Sequence, residues 1–123
     1  MSVAGSIVVK LLIQPIIENY IVHGFRPNDD DNRISITAAE QEKHILIRVK
    51  DNGKGIGEEK LTELRKALKN EGEAPSGLKD SLGLKNVHER IRLNYGSEFG
   101  ISVISEQDKG CEVIIKIPFT RED

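Results

Sequence analysis

One stretch constrains this chain more than any other: Ile45-Leu46-Ile47-Arg48-Val49-Lys50-Asp51 runs without a break into Asn52-Gly53-Lys54-Gly55-Ile56-Gly57. Ile45, Ile47 and Val49 alternate with Leu46, Arg48 and Lys50, the period of a strand with one buried face. Asp51 falls where that strand ends, so the sheet beneath can hold its side chain still. Glycine then takes every second position, at Gly53, Gly55 and Gly57. A residue without Cβ accepts positive φ and lets a flat or charged ligand touch the backbone. An ionised carboxylate accepts hydrogen bonds and donates none, which suits Asp51 to an amino group such as the exocyclic amine of adenine.

Three other readings compete for the stretch. Asn52-Gly53 between two strands would be a hairpin turn, but Glu58 to Asn70 has helical spacing instead, with Leu61, Leu64 and Leu68 on one face. A phosphate-binding P-loop needs four residues between its glycines and then Gly-Lys-Ser/Thr, which is absent. A dinucleotide fold needs a second parallel strand with an acidic residue after the helix. After Asn70 comes a loop containing glycine, proline and serine, so the glycine run marks a ligand site of another kind.

The rest of the composition narrows the class. A chain of 123 residues with 37% hydrophobic and 31% charged residues has enough apolar material for one core and is expected to be a single soluble globular domain, residues 1–123. Net charge is −2, with three Phe, two Tyr and no Trp, which gives no support for a nucleic-acid surface of basic and stacking residues. Cys111 is the single cysteine, cannot form an internal disulfide, and reads as a small apolar residue in a reducing compartment. No apolar run approaches the ~20 residues of a membrane span, and Ile7 to Ile13 lacks the basic start and cleavage site of a signal peptide. The expectation is a cytoplasmic domain, or a piece of one, without membrane contact of its own.

In chain order, Ile7 to Gly24 is the first helix, with Leu12, Ile13, Ile16, Ile17, Tyr20 and Ile21 as its apolar stripe and Gly24 at its stop. Pro15 either starts the regular part or kinks it. Asn19 and His23, four apart, share an edge of this helix beside Glu18, which read alone is a solvated polar edge. Arg26 to Asn32 is a loop whose three aspartates read as solvated rather than cation-binding. Arg33 to Ala39 alternates as a strand and pairs antiparallel with the organising strand across a polar turn at Glu40 to Lys43. Asn70 to Asp80 has the composition of a flap. Ser81 can cap a third helix, Leu82 to about Asn94, that stops at Gly96. On it Leu84, Val87, Ile91 and Tyr95 form the apolar face, while Lys85, Asn86, Glu89, Arg90 and Arg92 face outwards. Gly83 in its first turn leaves backbone N–H groups uncovered for an anion, or is an incidental glycine beside a plain cap. Gly100 to Glu106 and Cys111 to Ile117 close the chain as a hairpin around Asp108-Lys109-Gly110. There is no Cys/His cluster for zinc and no Ser-His-Asp set for acyl transfer. The order predicts an α+β, two-layer sandwich: a mostly antiparallel sheet covered on one face by three helices, with the ligand between the layers.

Three segments carry a resemblance. Gln14 to Gly24 (QPIIENYIVHG) resembles the asparagine box of the GHKL ATPases in the form used by sensor histidine kinases of the LytS/YesM type. Asp51 to Ile56 (DNGKGI) is similar to the first glycine box of that superfamily, and Ser81 to Ile91 (SLGLKNVHERI) to the second, its Asn-Val-His-Glu-Arg tail being that of the subfamily. Together they cover almost the whole chain in the family's order.

The resemblance implies the Bergerat fold and a catalytic, ATP-binding domain that transfers the γ-phosphate of ATP to a histidine. Asn19 would ligate Mg²⁺ through its side-chain oxygen, with Glu18 orienting a water and His23 near the phosphates. Asp51 would accept the adenine amine, with Gly53, Gly55 and Ile56 as pocket wall. Gly83, Leu84 and Asn86 would cradle the phosphates, and Asn70 to Asp80 would be the lid. The implied partners are a dimerisation and phosphoacceptor domain and, through it, a response regulator, in a whole protein anchored in the membrane. The phosphoacceptor helices are missing, which marks the sequence as a fragment unable to autophosphorylate alone. Three positions depart from the pattern: Tyr20 stands for a small residue, Val22 for a lysine and Ser81 for a glycine. Alternatives of the same fold are an anti-sigma-factor serine kinase and a degenerate nucleotide-binding module without phosphoryl transfer.

Overall fold

A computed structural model describes residues 3–69 and 82–118, side chains at 3–9, 22, 23 and 82 excepted. The lid segment expected at Asn70 to Asp80, the cap expected at Ser81 and the departure noted at Val22 lie outside the described residues. Helix α1 (Val3–His23) is followed by β1 (Ile34–Gln41), β2 (His44–Asp51), α2 (Glu58–Lys69), α3 (Leu82–Tyr95), β3 (Gly100–Ser105) and β4 (Cys111–Pro118). All strand pairs are antiparallel and the sheet order is β1-β2-β4-β3. The two predicted hairpins are therefore joined through β2 and β4, the strands with the most apolar inward faces. Three helices on a four-stranded antiparallel sheet is the expected α+β sandwich.

The core lies between the layers. Ile47 and Val49 of β2, Val113, Ile115 and Ile117 of β4, and Ile101 and Val103 of β3 point inward. They meet Leu12 and Ile16 of α1, Leu61, Leu64 and Leu68 of α2, and Leu84, Val87 and Ile91 of α3. The outward alternates mix polar and apolar residues: Arg48 and Glu112 form an ion pair at 2.9 Å between β2 and β4, while Ile104 of β3 is exposed. Residues of β1 are exposed along its whole length despite the alternation of Ile34, Ile36 and Ala38. The helices pack against β2, β3 and β4, so no layer covers the strand beyond β2.

Helix α3 departs from the one-faced helix its periodicity predicts. It contacts α1, α2, β3 and β4, so Lys85 and His88 are buried along with the leucine stripe. Lys85, expected to face outwards, keeps its ammonium 3.4 Å from Glu89 one turn on. His88 accepts a hydrogen bond from Ile101 N–H of β3 on Nδ1 at 2.8 Å. The ring is therefore the neutral tautomer protonated on Nε2. Tyr95, at the end of the helix, is 41% exposed rather than part of the apolar face. Helix α1 runs on either side of Pro15, whose missing N–H costs the turn at Leu11 one hydrogen bond.

Candidate functional site

The end of β2, the glycine run, the end of α1 and the β3–β4 turn converge on one hollow. It is lined by Ile16, Asn19, Tyr20 and Gly24 from α1 and its exit, Val49 and Asp51 from β2, Gly55 and Ile56 from the loop, and Cys111 and Val113 from β4. Asn19 and Asp51, far apart in sequence, thus face the same cavity. Its walls are otherwise apolar, so the polar groups in it are few and directed.

Asp51 is held from both directions. Its backbone pairs with Ile34 on one side and Cys111 on the other, and its Oδ1 accepts the Gly53 N–H at 2.9 Å. Burial raises the Asp51 carboxyl above its usual range, opposed by the N–H groups of Gly53 and Cys111 that favour the ionised form. Burial and the charge of Asp51 push the Cys111 thiol up to about 11, so this wall stays uncharged.

The glycine loop owes its shape to protein backbone as much as to any ligand. The Lys54 N–H donates to Gly24 O at 2.9 Å, and Lys54 O accepts the Asp108 N–H at 2.6 Å, so the backbone of this one residue bridges the end of α1 and the β3–β4 turn. A Cβ on Gly53 would fall on the Gly24 carbonyl, well under the 3.0 Å that real Cβ atoms keep. Gly55 has φ 68° and its Cβ would meet the Glu106 and Gly110 carbonyls. Gly57 has no such neighbour: its nearest is the end of the Gln107 side chain at 3.5 Å.

Several contacts that build the site carried no signal in the sequence. The Arg26 guanidinium donates to Gly53 O at 3.3 Å and Asp108 O at 3.2 Å, tying the loop to the turn. Ser105 accepts the Ile56 N–H and donates to Gly110 O, both at 2.8 Å. Asn52 accepts the Arg33 N–H at 2.7 Å and fixes the loop against the start of β1. Apart from the Ser105 bond to Gly110 across its own turn, each bond joins positions remote along the chain, and no local pattern encodes that.

The remaining candidates are placed differently. Glu18 is exposed on the surface of α1, where it accepts the Gln14 amide at 3.2 Å, and does not line the cavity. The side chain of His23 lies outside the described residues. Gly83, Leu84 and Asn86 sit in the first turns of α3; a Cβ on Gly83 would lie 4.0 Å from Pro15, one helical turn before Asn19. Leu84 is 0% exposed, backbone included, and belongs to the core. Asn86 is exposed. Two of the three aspartates after Arg26 are engaged locally: Asp29 Oδ1 accepts the Asp31 N–H at 2.8 Å, and Asp31 pairs with Arg33 at 3.4 Å. Among the described residues no three acidic, histidine or cysteine side chains gather as a metal site.

Residues 6–121 match the family described as histidine kinase-, DNA gyrase B- and HSP90-like ATPases. The chain belongs to that family. Sensor protein kinase HptS of Staphylococcus aureus (strain USA300) is 34% identical over 114 residues, covering 91% of this chain and 20% of the relative. The chain thus spans about a fifth of the length of that curated relative. Two solved structures share the fold. The histidine kinase domain of Erythrobacter litoralis EL346 blue-light activated histidine kinase has TM-score 0.58 at 18% identity, covering 90% of this chain and 43% of that one. The E. litoralis EL346 kinase itself has TM-score 0.59 at 17% identity, over 90% and 29%. Among the described residues no helix is long and apolar enough to cross a membrane.

Proposed function

We propose that this GHKL domain binds Mg·ATP and presents its γ-phosphate to a histidine on a separate dimerisation domain of a sensor kinase, the first step of a two-component relay to a response regulator. The whole kinase would be anchored in the membrane, with this domain in the cytoplasm. The observation that carries the reading is the convergence of Asn19 and Asp51 on one apolar-walled cavity. Asp51, with one oxygen on Gly53, offers the other to the adenine amine. Gly53, Gly55 and Ile56 hold the base against Val49 and Val113. Asn19 supplies a hard oxygen suited to Mg²⁺. The first turns of α3, with Gly83 and Asn86, take the phosphates at the positive end of the helix dipole, and Leu84 anchors that turn in the core. Glu18 would orient water and His23 would stand near the phosphates from the α1 edge. ATP supplies the phosphoryl group; this chain positions it and neutralises charge, with no covalent intermediate on its own side chains.

Asp51→Asn replaces an acceptor oxygen by a donor, and titration calorimetry should show ATP affinity falling by roughly 1.5–3 kcal/mol. Because burial disfavours the charge, the same variant should be at least as stable as the parent at neutral pH without nucleotide. Asn19→Ala should weaken Mg·ATP far more than metal-free ATP. Unchanged ATP affinity in Asp51→Asn, or equal losses with and without Mg²⁺ in Asn19→Ala, would refute the assignments. Fusion to a dimerising phosphoacceptor helix pair then tests phosphoryl transfer, and binding without transfer would identify a degenerate module.

A further inference from the structure

Tyr20 follows Asn19 on α1, and its ring is turned into the same cavity as Asp51. It is 8% exposed and fixed on several sides. The ring stands edge-on to Phe25, with centroids 6.3 Å apart at 85°. Its hydroxyl donates a long bond to Asn32 Oδ1 at 3.4 Å. Asn32 is itself immobilised: it accepts the Arg26 N–H at 3.0 Å and donates to Arg26 O at 2.6 Å and Asp29 O at 2.7 Å. Gly24 packs so close that a Cβ there would lie 2.8 Å from Cδ1 of the ring. Burial, then the charges of Asp51 and Asp29, raise the phenol above its usual range. A side chain anchored at its tip, its edge and its base is a wall rather than a flap.

We propose that Tyr20 is a specificity-determining residue of the nucleotide pocket: its ring closes the space beside Asp51 and so admits a free purine amine while refusing one that carries a bulky N6 substituent. The inference rests on the reading of Asp51 as the acceptor for the adenine amine. Ring size does the excluding. The hydroxyl only fixes the ring, so its removal leaves the wall standing, whereas truncation at Cβ opens a hole at the N6 end.

The experiment measures affinities of ATP and N6-benzyl-ATP for the domain and its Tyr20→Phe and Tyr20→Ala variants by titration calorimetry. The parent and Tyr20→Phe should both prefer ATP strongly, and Tyr20→Ala should reduce that preference by roughly tenfold or more, the size of effect that one pocket wall gives. Should Tyr20→Ala not fold, Tyr20→Leu, which keeps an apolar side chain but shortens the wall, gives the same test. A parent that binds both nucleotides alike, or a preference that survives Tyr20→Ala or Tyr20→Leu, overturns the proposal while leaving the adenine pocket intact. A parent that binds neither nucleotide overturns the pocket reading, and with it the proposal.

Discussion

Gly53 and Gly57 look interchangeable in the sequence, and the structure says that they are not. In Gly53→Ala the new methyl group falls on the Gly24 carbonyl and also lies 3.1 Å from Asp51 Oδ1. The obstacle is backbone at the buried exit of α1, so no side-chain rotation relieves it. Overpacking of this kind costs about 1–3 kcal/mol. Moving the loop away also sacrifices the Lys54 N–H to Gly24 O bond of 2.9 Å, about 1 kcal/mol, and weakens the half-exposed Arg26 bond to Gly53 O by a similar or smaller amount. Reduced freedom of the unfolded chain returns about 0.4–1 kcal/mol. The net loss is roughly 2–4 kcal/mol, a large share of the 5–15 typical of a domain. Gly57→Ala meets only the Gln107 side-chain end at 3.5 Å and should be neutral or slightly stabilising. Urea denaturation of the two variants beside the parent measures both numbers, and a chain of this size is suited to two-state treatment. A Gly53→Ala variant within about 0.5 kcal/mol of Gly57→Ala would refute the close-approach argument, since that is the scatter of ordinary surface substitutions.

Two further outcomes are expected. Burial, helped by the Arg92 guanidinium, holds the His88 ring below its usual titration range, against the Leu68 carbonyl and Glu89. The unfolded chain therefore takes up the proton first as pH falls, so stability should be lost from about pH 6.5 downward towards the lowered folded pKa. Melting temperatures of the parent and His88→Gln should diverge over that window, and parallel curves would remove His88 as the cause. Arg26→Ala removes the tie between Gly53 O and Asp108 O and should weaken ATP binding by roughly three- to tenfold, the ~1 kcal/mol expected of half-exposed charge-assisted bonds. Calorimetry reading an unchanged affinity would show that the loop keeps its shape without it.

The elements were legible because their signals are local. Alternation in Ile45 to Val49 and the helical spacing of Leu61, Leu64 and Leu68 survive in the structure, as do both hairpins. The exposure of Ile34 and Ile36 was not legible, because alternation reports one apolar face without saying whether another layer covers it. Lys85 and His88 were misplaced or unplaced for a related reason: a central helix is enclosed on more than one side, and periodicity counts only the strongest. Within the site, Asn19, Asp51 and the glycines announce themselves by motif. Arg26 and Ser105 do not, since their bonds to Gly53, Asp108 and Ile56 depend on where the folded chain returns. Even the glycine run is only partly what it looks like, with Gly53 and Gly55 demanded by neighbouring carbonyls and Gly57 by none that the structure shows.

The bridge at Lys54 has a bearing on how the domain is born. One of its anchors, Gly24, is translated before the loop, while the other, Asp108, follows only after α2, α3 and β3. A nascent chain carrying every glycine of the loop still lacks the hairpin that braces it, so nucleotide cannot assist folding until the last two strands emerge.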